Sequence, residues 1–153
     1  MTRSVGGTSL MLIGAIGWLA QTGCSSKPSP KREDTAAINL RKIVQGYDLA
    51  EDRLHRGPRD EEELKRYLVQ TDTTIDPEQV MRSPRDGQPY VVIYGARLDP
   101  YGRDILAYEQ EGLDGNRYVI TLSRDVKLLT ATEFAHANFA KGHKPAKTNE
   151  TKQ

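Results

Sequence analysis

The sequence contains few residues whose types and spacing fit catalysis or metal binding. Glu133 and His136 form a Glu-x-x-His pair at helical spacing, which is one half of the motif of carboxylate sites that bind two metal ions. Such a site needs a second pair and further glutamates, so we expect neither a metal nor another cofactor. Ser83 and Ser123 lie in predicted turns, where serine is common because of its local hydrogen bonding, and neither stands in a Gly-x-Ser-x-Gly sequence. We therefore expect no catalytic residue and no enzymatic activity.

A different chemistry is indicated at Cys24, the only cysteine of the 153-residue chain. The chain starts with a basic residue, Arg3, continues with an uncharged apolar run over residues 10–20, and has small residues up to Gly23. This order is typical of a cleaved secretory signal peptide, here over residues 1–23. The apolar run spans roughly 16 Å as a helix, against about 30 Å for the hydrocarbon core of a bilayer. We therefore expect an export signal and not a membrane-spanning helix.

A cysteine directly after small residues resembles the lipobox of bacterial lipoproteins. The resemblance implies cleavage between Gly23 and Cys24, followed by attachment of a diacylglyceryl group to the Cys24 thiol and often of a further acyl chain, such as palmitate. Lipoboxes usually have an aliphatic residue three positions before the cysteine, where this chain has Gln21. The alternative is a plain cleaved signal peptide in which the cysteine has no role.

The segment after the predicted cleavage site, residues 24–34, is polar and rich in serine and proline, which is typical of a flexible tether. Cleavage would remove Arg3 and no acidic residue, leaving 21 basic and 21 acidic side chains. This balance gives no electrostatic basis for binding nucleic acid or an anionic membrane surface. We expect a protein of the cell envelope, facing the periplasm or the exterior. Its expected partners are a membrane, through the lipid anchor, and another envelope protein.

Residues 35–140 have the pattern of one α+β domain. Apolar residues recur at spacings of three and four from Ala36 to Leu54 and predict a long amphipathic helix. Asp60 and Glu63 read as a capping box that opens a short second helix. Residues 71–84 are predicted to be a loop with one helical turn at most. Thr130 and Glu133 form another capping box, which opens a short C-terminal helix, and residues 141–153 are predicted to be a disordered tail.

Four predicted strands lie between these helices, at residues 90–94, 105–109, 118–122 and 126–129. The turns between them are too short for parallel crossovers, so the strands should form an antiparallel meander. The predicted fold is therefore a long N-terminal amphipathic helix and a short helix packed on a four-stranded antiparallel meander, followed by a short C-terminal helix.

Two short stretches resemble the pseudopilins of type II secretion systems. Residues 84–90 (PRDGQPY) are similar to the Pro-Trp-Gly-Asn-Pro-Tyr segment before the first strand of the major pseudopilin, and residues 112–115 (GLDG) are similar to its Gly-x-Asp-Gly turn. The resemblance implies the same order of helix, loop and meander over residues 36–122. The chain departs from the family because it has no prepilin-peptidase site before a long apolar helix. Some pseudopilins bind calcium after this turn, and the matching residue is Asp114; here a strand follows at once, so we expect no calcium site.

Four tyrosines, Tyr90, Tyr94, Tyr108 and Tyr118, are candidates for a binding surface. If one face of the sheet is uncovered, they could bind a partner protein or a glycan; if it is covered, they belong to the core. The sequence thus supports a lipid-anchored, non-enzymatic envelope protein with a small interaction domain. The alternatives are a pseudopilin-like secretion accessory and a small envelope enzyme or ligand-binding protein, for which so small a domain leaves little room.

Overall fold

The computed structural model describes residues 34–146. Residues 1–33 and 147–153 lie outside the described residues. The first of these ranges contains the predicted signal peptide, the predicted cleavage site between Gly23 and Cys24, and residues 24–33 of the predicted tether. The helices are α1 (Thr35–Leu54), α2 (Glu61–Thr71), α3 (Pro77–Val80) and α4 (Ala131–Ala135). The strands are β1 (Val91–Val92), β2 (Ile105–Tyr108), β3 (Asn116–Thr121) and β4 (Val126–Thr130), and a 3-10 turn spans Ala140–Gly142.

The four strands form one antiparallel sheet in the order β1-β2-β3-β4. The predicted α+β class and the four-stranded antiparallel meander are confirmed. The strands lie in the sheet in the same order as in the chain, because each strand pairs with the next one. In the hairpin between β2 and β3, Leu113 and Asn116 exchange two backbone hydrogen bonds of 2.9 Å. The residues between them, Asp114 and Gly115, both have positive φ, as the predicted Asp-Gly turn requires.

Helix α1 supplies one wall of the core. It begins after Asp34, whose side chain accepts a hydrogen bond of 3.0 Å from the backbone N–H of Ala36. Tyr47, near the middle of the helix, has no exposed surface, and its hydroxyl donates to the carbonyl oxygen of Ala96 at 2.8 Å, with that of Ile93 at 3.2 Å. These contacts fix α1 to the chain that follows β1. Other α1 side chains in the same core are Leu40, Ile43 and Val44.

Helix α2 differs from the sequence prediction at its first turn. Asp60 accepts a hydrogen bond from the N–H of Glu63 at 2.8 Å, as a capping box requires. The Glu63 carboxylate, however, accepts a hydrogen bond of 2.7 Å from the backbone N–H of Arg59. It also accepts two from the terminal nitrogens of the Arg56 guanidinium, at 2.7 and 2.9 Å. The second half of the predicted box is therefore wrong, because a bidentate charged pair is stronger than a neutral cap. At α4, by contrast, Thr130 and Glu133 form both halves of the predicted box.

Two other boundaries differ from those predicted. Strand β1 has two residues where five were expected, because after Ile93 the chain turns and the N–H of Gly95 bonds the carbonyl oxygen of Pro58 at 2.8 Å. The loop over residues 71–84 contains α3, a single turn of four residues, which agrees with the prediction of one helical turn at most. The tail was predicted to start at residue 141, which lies inside the 3-10 turn. The chain stays in contact with the sheet as far as His143. Within residues 34–146, no helix is long and apolar enough to cross a membrane.

Candidate functional site

The four candidate tyrosines do not form one exposed surface. Tyr90 and Tyr108 are 5% and 4% exposed, while Tyr94 and Tyr118 are half-buried. The hydroxyl of Tyr90 donates to the carbonyl oxygen of Ala36 at 3.1 Å, so its ring lies beneath α1. Two of the four rings therefore belong to the core.

Tyr108 is covered from the other side of the sheet. Its ring makes edge contacts with Phe134 of α4 and with Phe139, at centroid distances of 5.0 and 5.6 Å. Its hydroxyl lies 3.0 Å from Nε2 of His143. Because Tyr90 is covered by α1 and Tyr108 by Phe134 and Phe139, the proposed aromatic binding surface is wrong for Tyr90 and Tyr108.

The structure brings together a different set of polar residues, which we call the Arg85 cluster: Ser83, Arg85, Glu109 and Tyr118. The carboxylate of Glu109 is fully buried directly after β2. It accepts hydrogen bonds from the Ser83 hydroxyl, the Arg85 guanidinium and the backbone N–H of Tyr118, each at 2.7 Å. Burial of a carboxylate costs several kcal/mol unless it is paired and hydrogen-bonded, and here it is both.

Arg85 links three separate parts of the chain at this cluster. Its guanidinium lies 4.8 Å from the centre of the Tyr118 ring, and its Nε is 3.8 Å from the carboxylate of Asp34 at the start of α1. The side chain is only 13% exposed. Arg85 thus joins the N-terminal end of α1 to strands β2 and β3 and holds the first residues of the domain in place.

The neighbouring Asp86 joins the segment of residues 84–90 to the hairpin between β2 and β3. One carboxylate oxygen accepts from the backbone N–H groups of Glu111 and Gly112, at 3.0 and 2.7 Å, and the other accepts from that of Gln88 at 2.9 Å. Burial raises the pKa of Asp86, but these backbone hydrogen bonds outweigh it and leave the pKa below its ordinary value. Asp86 therefore stays ionised and fixes the segment of residues 84–90 to the turn of residues 112–115.

The residues first considered for catalysis have structural roles. The carboxylate of Glu133 accepts hydrogen bonds from the backbone N–H and the hydroxyl of Thr130, both at 2.8 Å, and these bonds lower its pKa. Nδ1 of His136 bonds the carbonyl oxygen of Thr132 at 2.8 Å. The hydroxyl of Ser123 bonds the Asp125 carboxylate at 2.9 Å. In the described part of the chain, no group of three or more histidine, cysteine, aspartate or glutamate side chains could hold a metal ion.

Sequence reasoning did not single out Glu109, Arg85 or His143. One local feature indicated a role for Glu109: it is an acidic residue that directly follows β2, and all four residues of that strand are buried. No pattern in the sequence paired it with Arg85, 24 positions earlier. No protein-family model, curated protein or solved structure matches this chain. The assignment of roles therefore depends on its own residues and their geometry.

Proposed function

We propose that this protein is a lipid-anchored, non-enzymatic component of the bacterial cell envelope, with a small interaction domain that faces the periplasm or the exterior. The observation that carries the proposal is the order of residues up to Cys24: a basic start, a short apolar run, small residues and the only cysteine. Each buried methylene of an acyl chain contributes about 0.8 kcal/mol, so two or more chains on Cys24 would anchor the domain stably.

The contacts of the carboxylates favour a structural role for the domain's polar groups over catalysis. A general base must offer its carboxylate to a substrate proton. Glu109, Asp86 and Glu133 are instead bonded to hydroxyl, guanidinium or backbone donors of the domain itself. These bonds fix turns and helix ends, as expected of a scaffold that presents a surface.

The outer strand β4 is a candidate for that surface. Among the described strands it pairs with β3 alone, and the side chain of Leu128 at its centre is 49% exposed. An outer strand offers unpaired backbone donors and acceptors, which a strand of a partner protein can use. A photo-crosslinking residue at position 128 should therefore capture a specific envelope protein, whereas the same residue at exposed Arg66 on α2 should not. Equal capture at both positions would contradict this surface.

The anchor is tested by labelling cells with a radioactive or clickable fatty acid and by separating their membranes. The full chain should take up the label and sediment with the membranes, and Cys24→Ala should lose both properties. Ser25→Ala is the matched control, because it changes the adjacent residue and leaves the thiol in place. A Cys24→Ala protein that still sediments with membranes, together with an unlabelled wild-type protein, would overturn the anchor.

A second candidate function is a pseudopilin-like accessory of a secretion system. It is favoured by the contacts of Asp86, because they bring together the two segments on which the resemblance depends. Deletion of the gene should then reduce the amount of type II secretion substrates in the culture medium, and the captured partner should belong to that system. Unchanged secretion in the deletion strain would exclude this candidate and leave the anchor proposal intact.

A further inference from the structure

The chain contains two Asp-Gly dipeptides, Asp86-Gly87 and Asp114-Gly115. An aspartate before a glycine can isomerise spontaneously, because glycine has no side chain to shield its backbone nitrogen from the neighbouring carboxyl group. Both glycines have positive φ, and a Cβ built on either of them would meet no atom within 4 Å. Steric crowding at the two glycines is therefore similarly low, and a difference in reactivity would come from hydrogen bonds and exposure.

The fold protects both reacting groups of Asp86-Gly87. The half-buried Asp86 carboxylate accepts hydrogen bonds from three backbone N–H groups, and the N–H of Gly87 donates to the carbonyl oxygen of Ser83 at 3.0 Å. Burial raises the pKa of Asp86, but the backbone hydrogen bonds outweigh it and lower the pKa. An ionised carboxylate is a poorer electrophile than a protonated carboxyl group, so Asp86 should react slowly.

Asp114-Gly115 lacks this protection. It lies at the tip of the hairpin between β2 and β3, and both residues are exposed. Within the described part of the chain, no hydrogen bond to the Asp114 carboxylate or from the Gly115 N–H is seen. The side chain of Asn116 donates to the carbonyl oxygen of Asp114 at 3.1 Å, which withdraws electrons from the peptide group whose nitrogen must lose its proton. Both reacting groups thus face water, and neither has to leave a partner first.

We propose that Asp114 is a site of spontaneous isomerisation to isoaspartate. The Gly115 nitrogen loses its proton to water and attacks Cγ of Asp114. A C–N bond forms, the bond from Cγ to the hydroxyl oxygen breaks, and one water leaves, so that a five-membered succinimide results. A second water adds to the backbone carbonyl carbon of Asp114 and breaks the bond from that carbon to the Gly115 nitrogen. The main chain then runs through Cγ, the composition is unchanged, and no oxidant or cofactor is needed.

This modification would loosen the hairpin between β2 and β3. Its turn has positive φ at both Asp114 and Gly115, and two hydrogen bonds of 2.9 Å between Leu113 and Asn116 close it. Isoaspartate adds one methylene to the main chain, which does not fit this two-residue turn. Amide hydrogen exchange at Leu113 and Asn116 should therefore be faster in the isoaspartyl form than in the unmodified protein.

The test follows both dipeptides while the full chain is incubated in detergent at neutral pH. Samples are digested, and electron-transfer fragmentation of the separated peptides distinguishes isoaspartate from aspartate. Isoaspartate should form at least about tenfold faster at Asp114 than at Asp86, because the Asp86 site must first break its hydrogen bonds. The matched control is the same chain unfolded in guanidinium chloride, in which the two sites should react at similar rates.

Asp114→Asn provides a second measurement, because asparagine is also favoured in this turn. It forms the same succinimide with loss of ammonia instead of water, so the mass of the protein should increase during incubation. Similar rates at the two aspartates of the folded wild type would overturn the proposal. So would a folded Asp114→Asn protein of constant mass whose unfolded form does gain mass. The site does not depend on the lipid anchor, so Cys24→Ala should isomerise at the wild-type rate.

Discussion

Arg85 in the Arg85 cluster and Arg117 on β3 both place a guanidinium over an aromatic ring, but they differ in their position in the domain. Arg85 is 13% exposed and bonded at 2.7 Å to the fully buried carboxylate of Glu109. Arg117 lies over Phe134 beside a cavity of about 440 Å³ that Lys144 also lines. The first arrangement is enclosed within the domain, and the second borders a cavity.

The comparison indicates which residues the stability of the fold depends on most. Removal of a group from a closed, buried network leaves its partner unpaired in a medium of low polarity, and this costs stability. Removal of an exposed group beside a cavity leaves its neighbours in contact with water, so the loss in the free energy of unfolding is small. Substitutions in the Arg85 cluster should therefore lower the free energy of unfolding more than substitutions of exposed residues that line the cavity.

The largest effect should come from Glu109→Gln. The substitution leaves the buried guanidinium of Arg85 without its carboxylate, so the free energy of unfolding should fall by about 3 kcal/mol. Urea denaturation of the full chain measures this value. Glu111→Gln, two residues along on an exposed position, is the matched control and should change stability by less than about 0.5 kcal/mol. Similar small losses for both variants would show that the Arg85 cluster is not a closed network.

Asp86→Asn should have the next largest effect, a loss of about 1–2 kcal/mol at neutral pH, because it weakens hydrogen bonds from three backbone N–H groups. The pKa of Asp86 is lower in the folded protein than its ordinary value of 3.8, so its ionised form stabilises the fold. That contribution is complete above the unfolded pKa and disappears as the pH falls through the lower folded pKa.

The difference in stability between the wild type and Asp86→Asn should therefore shrink as the pH falls below about 4. Urea denaturation of both proteins at pH 7, 5 and 3 measures this difference in the free energy of unfolding. A difference that stays constant over this range would mean that the carboxylate charge does not hold the two segments together.

The contrast between the two regions also marks the limit of sequence reasoning here. The Thr130 capping box and the Asp114-Gly115 turn were predicted correctly, because both depend on residues within a few positions of each other. The partner of Glu63 was missed because Arg56, seven positions earlier, offers a stronger bond than the local cap. The bond from Arg85 to Glu109 and the bond from Tyr108 to His143 join residues that are 24 and 35 positions apart. Only the fold brings such residues together.

Tyr108→Phe should have a smaller effect than the changes at the Arg85 cluster. It removes the bond to His143 and should lower the free energy of unfolding by about 1 kcal/mol. Hydrogen exchange should become faster over residues 140–144, because that bond ties this segment to β2. Tyr118→Phe is a suitable control, since no hydrogen bond of its hydroxyl to a described residue is seen. Equal exchange in both variants would show that packing alone holds the segment.

Lys144→Gln should have the smallest effect on stability, within about 0.5 kcal/mol of the wild type, because the side chain is exposed. Thermal denaturation of the wild type and of Lys144→Gln measures this difference. A marked loss of stability in Lys144→Gln would place this residue with the structural groups and remove the contrast between the two regions.

The most direct test of the proposed function is mass spectrometry of the N-terminus of the protein isolated from membranes. We predict a mature chain that begins at Cys24, with a mass increase that corresponds to a diacylglyceryl group on its thiol, with or without a further acyl chain on its amine. A mature chain that begins at another residue, or a Cys24 with a free thiol, would contradict the proposal that this domain is held at a membrane by a lipid.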